Sequence, residues 1–206
     1  MRYTTLSDTN IKVSKICLGT MTWGNQNTKV EAFEQMDYAL DQGVNFFDTA
    51  ELYPVPATPD TYADTERIIG DWFQKTGNRE KVVLASKIAG GGDYTKHIRT
   101  GGFSKENITQ AIEGSLQRLQ TDYLDLYQLH WPSRGVNCFG VRDYPYQTAT
   151  KEAENHLEIL ETLTAFVKAG TLRAIGLSNE TPWGTMKYLQ AANAHNLVRA
   201  VTIQNS

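Results

Sequence analysis

The chain has 206 residues, 40% of them hydrophobic and 21% charged, with a formal net charge of −3. That composition excludes wholesale disorder, and without a basic block it argues against nucleic acid as a partner. No apolar run is long enough to span a bilayer, residues 1–6 lack the apolar core of a signal peptide, and two cysteines, Cys17 and Cys138, are too few for a disulfide framework or a cysteine metal site.

The expected elements begin with a small β-hairpin. Residues 2–6 and 11–13 flank the turn-prone trio Asp8-Thr9-Asn10. Short β-type runs then follow at residues 15–19, 44–48, 82–87, 123–130, 172–177 and 200–204. Helices separate them. Thr28-Lys29-Val30-Glu31 is a capping box that starts the first one. Ser104 is placed to cap another, in which Ile108, Ala111, Ile112, Ser115, Leu116 and Leu119 form one face. Leu157, Leu160, Leu163 and Val167 make a further stripe, and Thr181 before Pro182 is an N-cap with proline at the first helical position. Gly43 and Gly170 stand where helices stop. Long loops at residues 54–63, 89–103 and 133–149 follow the second, third and fourth runs, where function is expected.

Repeated β-α units predict a parallel sheet covered by helices. Strand ends recur roughly every 37 residues, so eight units would need about 296. A doubly wound sheet of five or six strands also fits this length. The strand ends favour a barrel. There is no G-x-G-x-x-G between a strand and a helix, and Gly90-Gly91-Gly92, which leads into a polar loop, reads mainly as a flexible linker. Polar residues instead close nearly every strand: Asp48, Lys87, His130, Ser178 with Asn179, and Gln204. Barrels collect their chemistry this way.

Three of these positions, with Tyr53, form a chemical set. Asp48 ends one strand, Tyr53 lies five residues beyond it, and Lys87 and His130 end the next two. A buried Lys87 needs a charge partner, which Asp48 can supply. An ammonium beside Tyr53 is expected to lower the phenol pKa from about 10, which suits a general acid. His130 could orient a carbonyl or pass a proton. Each residue alone has a duller reading, as a solvated terminus, a packed turn or a loop cap.

The chain resembles the aldo-keto reductase superfamily. The matching stretches are Gly19-Thr20-Met21-Thr22-Trp23-Gly24, Phe47-Asp48-Thr49-Ala50-Glu51-Leu52-Tyr53, Ser86-Lys87, residues 121–132, Gly176-Leu177-Ser178-Asn179-Glu180 and Thr202-Ile203-Gln204-Asn205. Tyr53-Pro54-Val55-Pro56 and Asn137-Cys138-Phe139-Gly140 are most similar to the bacterial Tas-like NADP(H)-dependent members. The resemblance implies a (β/α)8 TIM-barrel domain over residues 1–206 with an N-terminal hairpin, and NADP(H) bound without a Rossmann fold. It implies Tyr53 as proton donor, Lys87 and Asp48 as its tuning pair, and His130 as the residue that positions a small-molecule carbonyl. Ser178, Asn179 and Gln204 match the groups that hold the nicotinamide carboxamide. Thr20, Met21 and Asp48 would lie on the cofactor side, Trp23 and Trp131 on the substrate side.

About six of eight units are present, so the expectation is a reductase domain incomplete at its C-terminus. The part beyond residue 206 would carry the phosphate-binding loops. A cytoplasmic location is expected, with no metal, no nucleic-acid partner and no membrane partner; substrate and oligomeric state stay open. Two other readings share the motif, an inactive fragment and a nucleotide-sensing binding protein like the potassium-channel β subunits; a Schiff-base aldolase using Lys87 would not need Tyr53 or the Ser178-Asn179 pair.

Overall fold

The computed structural model describes residues 1–137, 139 and 155–205. Cys138, Gly140 and most of the loop at 133–149 lie outside the described residues. Strands β1 (Tyr3–Thr5) and β2 (Lys12–Ser14) form the antiparallel hairpin. Among the described residues, six parallel strands follow: β3 (Cys17–Gly19), β4 (Phe46–Asp48), β5 (Val83–Ile88), β6 (Leu126–Leu129), β7 (Ile175–Ser178) and β8 (Ala200–Gln204). They lie side by side in chain order from β3 to β8. A doubly wound sheet reverses its order at a switch point; this sheet never does. It is a curled half-barrel of the TIM-barrel type. Among the described residues, five α-helices form the outer layer: α1 (Lys29–Asp41), α2 (Asp64–Thr76), α3 (Lys105–Leu119), α4 (His156–Lys168) and α5 (Pro182–His195).

The helix starts follow local chemistry. Thr28 Oγ1 accepts from the Glu31 amide at 3.3 Å, and Glu31 returns a carboxylate to the Thr28 amide at 2.7 Å. Ser104 caps α3 and Thr181 caps α5 through the amides three residues on. Asn155 does the same for α4. Helix α2 has no such start: it opens at Ala63, a left-handed residue with no side-chain cap. Its buried face, with Ile69, Trp72 and Phe73, packs into the core and makes the helix. The sequence signals it through that apolar spacing and Gly77 rather than through a cap. Gly70 lets it cross α3 closely, since a Cβ there would lie 2.2 Å from the Arg118 carbonyl.

Strand β5 is buried throughout, yet its two faces differ. Leu84 and Ile88 face the helical layer with the main core, while Val83 and Ala85 join a second cluster inside the barrel. Period-two alternation then puts Lys87 on the inner face with them. The hairpin contributes Leu6, Ile11 and Val13 to that inner cluster, against Val83, Leu126 and Ala174 near the strand starts. It therefore plugs the amino-terminal mouth. The carboxyl-terminal mouth holds a cavity of about 720 Å³. Among the described residues no helix is long and apolar enough to cross a membrane.

Candidate active site

The inner face reaches the cavity floor as a buried ionic cluster. The Lys87 ammonium, 1% exposed, lies 2.6 Å from Asp48 Oδ2 and donates to the Thr49 carbonyl at 3.0 Å. Gln128 Nε2 donates to the other Asp48 oxygen at 3.1 Å. Gln204 Nε2 lies 3.4 Å from Asp48 Oδ2. Both charges are thus paired and hydrogen-bonded, the condition under which burial is tolerated. Thr20 is fully buried and donates its hydroxyl to the Asp48 carbonyl at 2.9 Å. It braces Asp48 from behind.

Tyr53 and His130 stand over this cluster. The Tyr53 hydroxyl is 3.4 Å from Lys87 Nζ, longer than a good hydrogen bond. The ammonium also lies 4.9 Å from the centre of the phenol ring. His130 meets that ring edge-on, with centroids 5.6 Å apart. Its Nδ1 is buried without a hydrogen-bond partner. Burial, with the Lys87 charge second, holds the His130 pKa well below the usual imidazole range, so the ring is neutral.

The folded chain corrects the expected lowering of the phenol pKa. Burial raises the Tyr53 pKa and outweighs the opposing pull of Lys87, while Asp48 adds to the rise. The ammonium moderates the shift without reversing it, because the cost of burying a phenolate is larger.

The cavity walls sort the other expected residues. Ser178, Asn179 and Gln204 line one side, and Trp131 and Met21 line others. Asn179 sits in the left-handed region at φ 52°, which asparagine tolerates. Its Nδ2 donates to the His130 carbonyl at 2.9 Å and to Ser178 Oγ at 3.1 Å, so its carbonyl oxygen and the serine hydrogen remain for a ligand. A hydroxyl and two carboxamides on one wall suit a planar amide that both donates and accepts.

Three expected wall residues are not at the cavity. Asp48 is covered by Lys87, Gln128 and Gln204, and Thr20 lies beneath it. Trp23 is 1% exposed in the helix–sheet core, its indole donating to Gln35 Oε1 at 2.9 Å, and is not a substrate-side wall. A large ring gains more from the core than from an open mouth. Gly90-Gly91 is not a loose linker either. A Cβ on Gly90 would fall 2.2 Å from the Trp131 indole nitrogen, so the glycine lets that indole lie flat on the backbone.

Sequence reasoning missed several members. Gln128 lies two residues before His130 on one strand face, so period two could have found it. Leu52, Val55 and Tyr94 complete an apolar wall, and their loops gave no such signal.

Comparison with known proteins agrees with this architecture. Residues 15–206 match the aldo/keto reductase family. The chain belongs to that family. It is 47% identical over its whole length to protein tas of Escherichia coli (strain K12), of which it spans 60%. It is 38% identical over 210 residues to the uncharacterized oxidoreductase YrpG of Bacillus subtilis (strain 168), spanning 57% of that protein. Aldo-keto reductase YhdN of the same organism is 35% identical over 87% of this chain and 47% of its own length. A solved thermostable aldo-keto reductase, in complex with the inhibitor epalrestat, superposes with a TM-score of 0.71 at 24% identity, covering all of this chain and 62% of that one. At that identity the likeness concerns the fold.

Proposed function

We propose that this aldo/keto reductase chain carries the proton-donating and nicotinamide-side part of an NADP(H)-dependent carbonyl reductase. One observation carries the reading: Tyr53, Lys87 and His130 converge on one cavity above a buried Asp48. The nicotinamide cofactor, when bound, supplies the hydride. Ser178, Asn179 and Gln204 would hold its carboxamide. The preference for the 2′-phosphorylated form rests on the resemblance to Tas-like reductases.

The chain's own residues handle the proton. Burial keeps Tyr53 protonated at neutral pH, so its hydroxyl hydrogen is available to the substrate oxygen as negative charge grows there. Lys87 then stabilises the phenolate, and Asp48 holds the ammonium in place. His130 is neutral and can donate a hydrogen bond to the carbonyl without giving up its proton. The apolar wall of Leu52, Val55 and Trp131 keeps bulk water from the reacting oxygen.

The test is NADPH oxidation driven by a panel of aldehydes and ketones, run on this chain completed with the remaining barrel units of the family, beside a Tyr53→Phe variant. The variant should lose roughly 10²–10⁴-fold in turnover, the usual yield of acid–base catalysis, with cofactor affinity little changed. Unchanged turnover would remove Tyr53 from the mechanism. No carbonyl-dependent oxidation by the completed parent would overturn the reading as a whole.

A further inference from the structure

A second buried charge network lies behind the cavity, apart from the Lys87–Asp48 cluster. Its centre is Glu51, two residues before Tyr53 and 1% exposed. The Glu51 amide donates to the Lys87 carbonyl at 3.2 Å. Its Oε1 accepts from the Ala89 amide at 2.6 Å. Arg99 grips both carboxylate oxygens, one at 2.9 Å, and the other also takes the Ala89 amide. Arg118 stands 4.0 Å away, turned mainly to Glu66 of α2. Glu51 therefore joins the end of β5 and two loops: its own, which carries Tyr53, and the loop of Arg99.

Arg99 belongs to the segment that builds the neighbouring stretch of cavity wall. Its amide donates to the Thr95 carbonyl at 3.2 Å, and the buried Thr95 hydroxyl donates to the Gly90 carbonyl at 2.6 Å. Gly91, Asp93, Tyr94 and Thr95 line the cavity. At the rim the two loops meet again, where the Ala57 amide donates to the Tyr94 hydroxyl at 2.9 Å. The loops are thus fastened at the back by an ion pair and at the front by a neutral hydrogen bond. Between these fasteners lie Tyr53 and the Gly91–Thr95 stretch that lines the same cavity.

We propose that Glu51 and Arg99 are positioning residues, a clamp that fixes the Tyr53 hydroxyl relative to the Gly91–Thr95 wall and so sets which carbonyl compounds fit between them. The proposal rests on the reductase reading for its substrate consequence, but the clamp itself is measurable without turnover. Its physical basis is bidentate geometry. A guanidinium forks onto a carboxylate in one plane, which fixes direction as well as distance. A lysine in the same place supplies the charge through a single point and lets the loops rotate.

The test compares the parent with Arg99→Lys and with the double variant Glu51→Gln, Arg99→Met. The lysine variant keeps the pair of charges, and the double variant leaves no charge unpaired, so both avoid the large penalty of a half-removed buried pair. Three quantities are read: amide exchange of residues 89–103, the titration of the Tyr53 ring carbon by NMR (assigned with Tyr53→Phe), and kcat and KM for a small and a bulky aldehyde with NADPH. The clamp predicts exchange faster by about tenfold or more. It predicts a Tyr53 pKa that falls toward that of a free phenol as water enters, with Lys87, Asp48 and His130 unchanged around it. It also predicts a rise in KM several-fold larger for one aldehyde than for the other. Parental exchange and titration in a folded Arg99→Lys protein would overturn the clamp, and if the double variant does not fold this variant decides alone. A parent completed with the remaining barrel units and still inert toward both aldehydes would sink the reductase reading, while exchange and titration would still judge the clamp.

Discussion

The two mouths of the half-barrel are built from the same strands and end in opposite chemistry. At the amino-terminal mouth, Val83, Leu126 and Ala174 meet the hairpin's Leu6, Ile11 and Val13 in an apolar plug. At the carboxyl-terminal mouth, two to four residues along the same inner faces, stand Lys87, Gln128 and Ser178. One end gains stability by removing apolar surface from water. The other holds polar groups away from water, some of them with unused hydrogen-bonding capacity. A fold can keep such a costly end because the same strands are anchored at the cheap one.

Substitutions at the two mouths should therefore have different readouts. The largest effect is expected from Lys87→Met. It removes the ammonium that would stabilise a Tyr53 phenolate and leaves Asp48 buried beside Gln128 without its charge partner. Activity should fall at least as far as in Tyr53→Phe, and stability by about 3–5 kcal/mol, as when one partner of a buried pair is deleted. A pH–rate profile checks the first part and denaturant unfolding the second. Parental stability would show that Asp48 does not depend on Lys87.

At the plugged mouth, Ile11→Ala should do the reverse. Ile11 is 2% exposed, and its truncation should cost about 2–5 kcal/mol in urea unfolding. Turnover of the remaining folded protein should stay near parental, because the cavity lies at the other ends of the strands. A drop in kcat at full folding would mean that the two mouths are coupled.

Gly90→Ala sharpens the contrast from the cavity side. The new methyl would collide with the Trp131 indole. Overpacking of this kind costs about 1–3 kcal/mol, and displacement of the indole should raise KM several-fold with kcat less affected. Steady-state kinetics with an apolar aldehyde reads the split; an unchanged KM would mean that Trp131 does not touch substrate.

The smallest effect concerns pH. Burial depresses the folded-state pKa of His130, so the unfolded chain takes up this proton first. Its contribution is present above about pH 6.5 and is lost as pH falls below that value. Urea midpoints measured at about pH 7 and about pH 5 should differ less in His130→Asn than in the parent. Equal differences would show that the imidazole is not neutral by burial. Tyr53 acts at the other extreme, since its pKa is raised: its contribution is intact below about pH 10 and declines above it.

Much of this arrangement is legible in the amino-acid sequence. The helix starts at Thr28, Ser104 and Thr181 are local rules that act within four residues, and the folded chain obeys them. The β-α alternation and the polar strand ends point to a barrel-type sheet, because hydrophobic period and residue type are written along the chain. Helix α2 is legible only through its apolar face, Ile68, Ile69, Trp72 and Phe73, and through Gly77 at its end, because its start at Ala63 has no side-chain cap.

The site divides the same way. Asp48, Lys87 and His130 can be placed at strand ends from sequence, since each strand fixes its own last residues. Whether a side chain then faces the cavity, the core or a partner is decided by packing. Trp23 goes to the core, Gly90 makes room for an indole, and Glu51 finds an arginine 48 positions away. The direction of the Tyr53 pKa shift is decided there too. Sequence supplies the charges, but only the folded barrel sets how far each is withdrawn from water, and for Tyr53 that withdrawal outweighs the nearest ammonium.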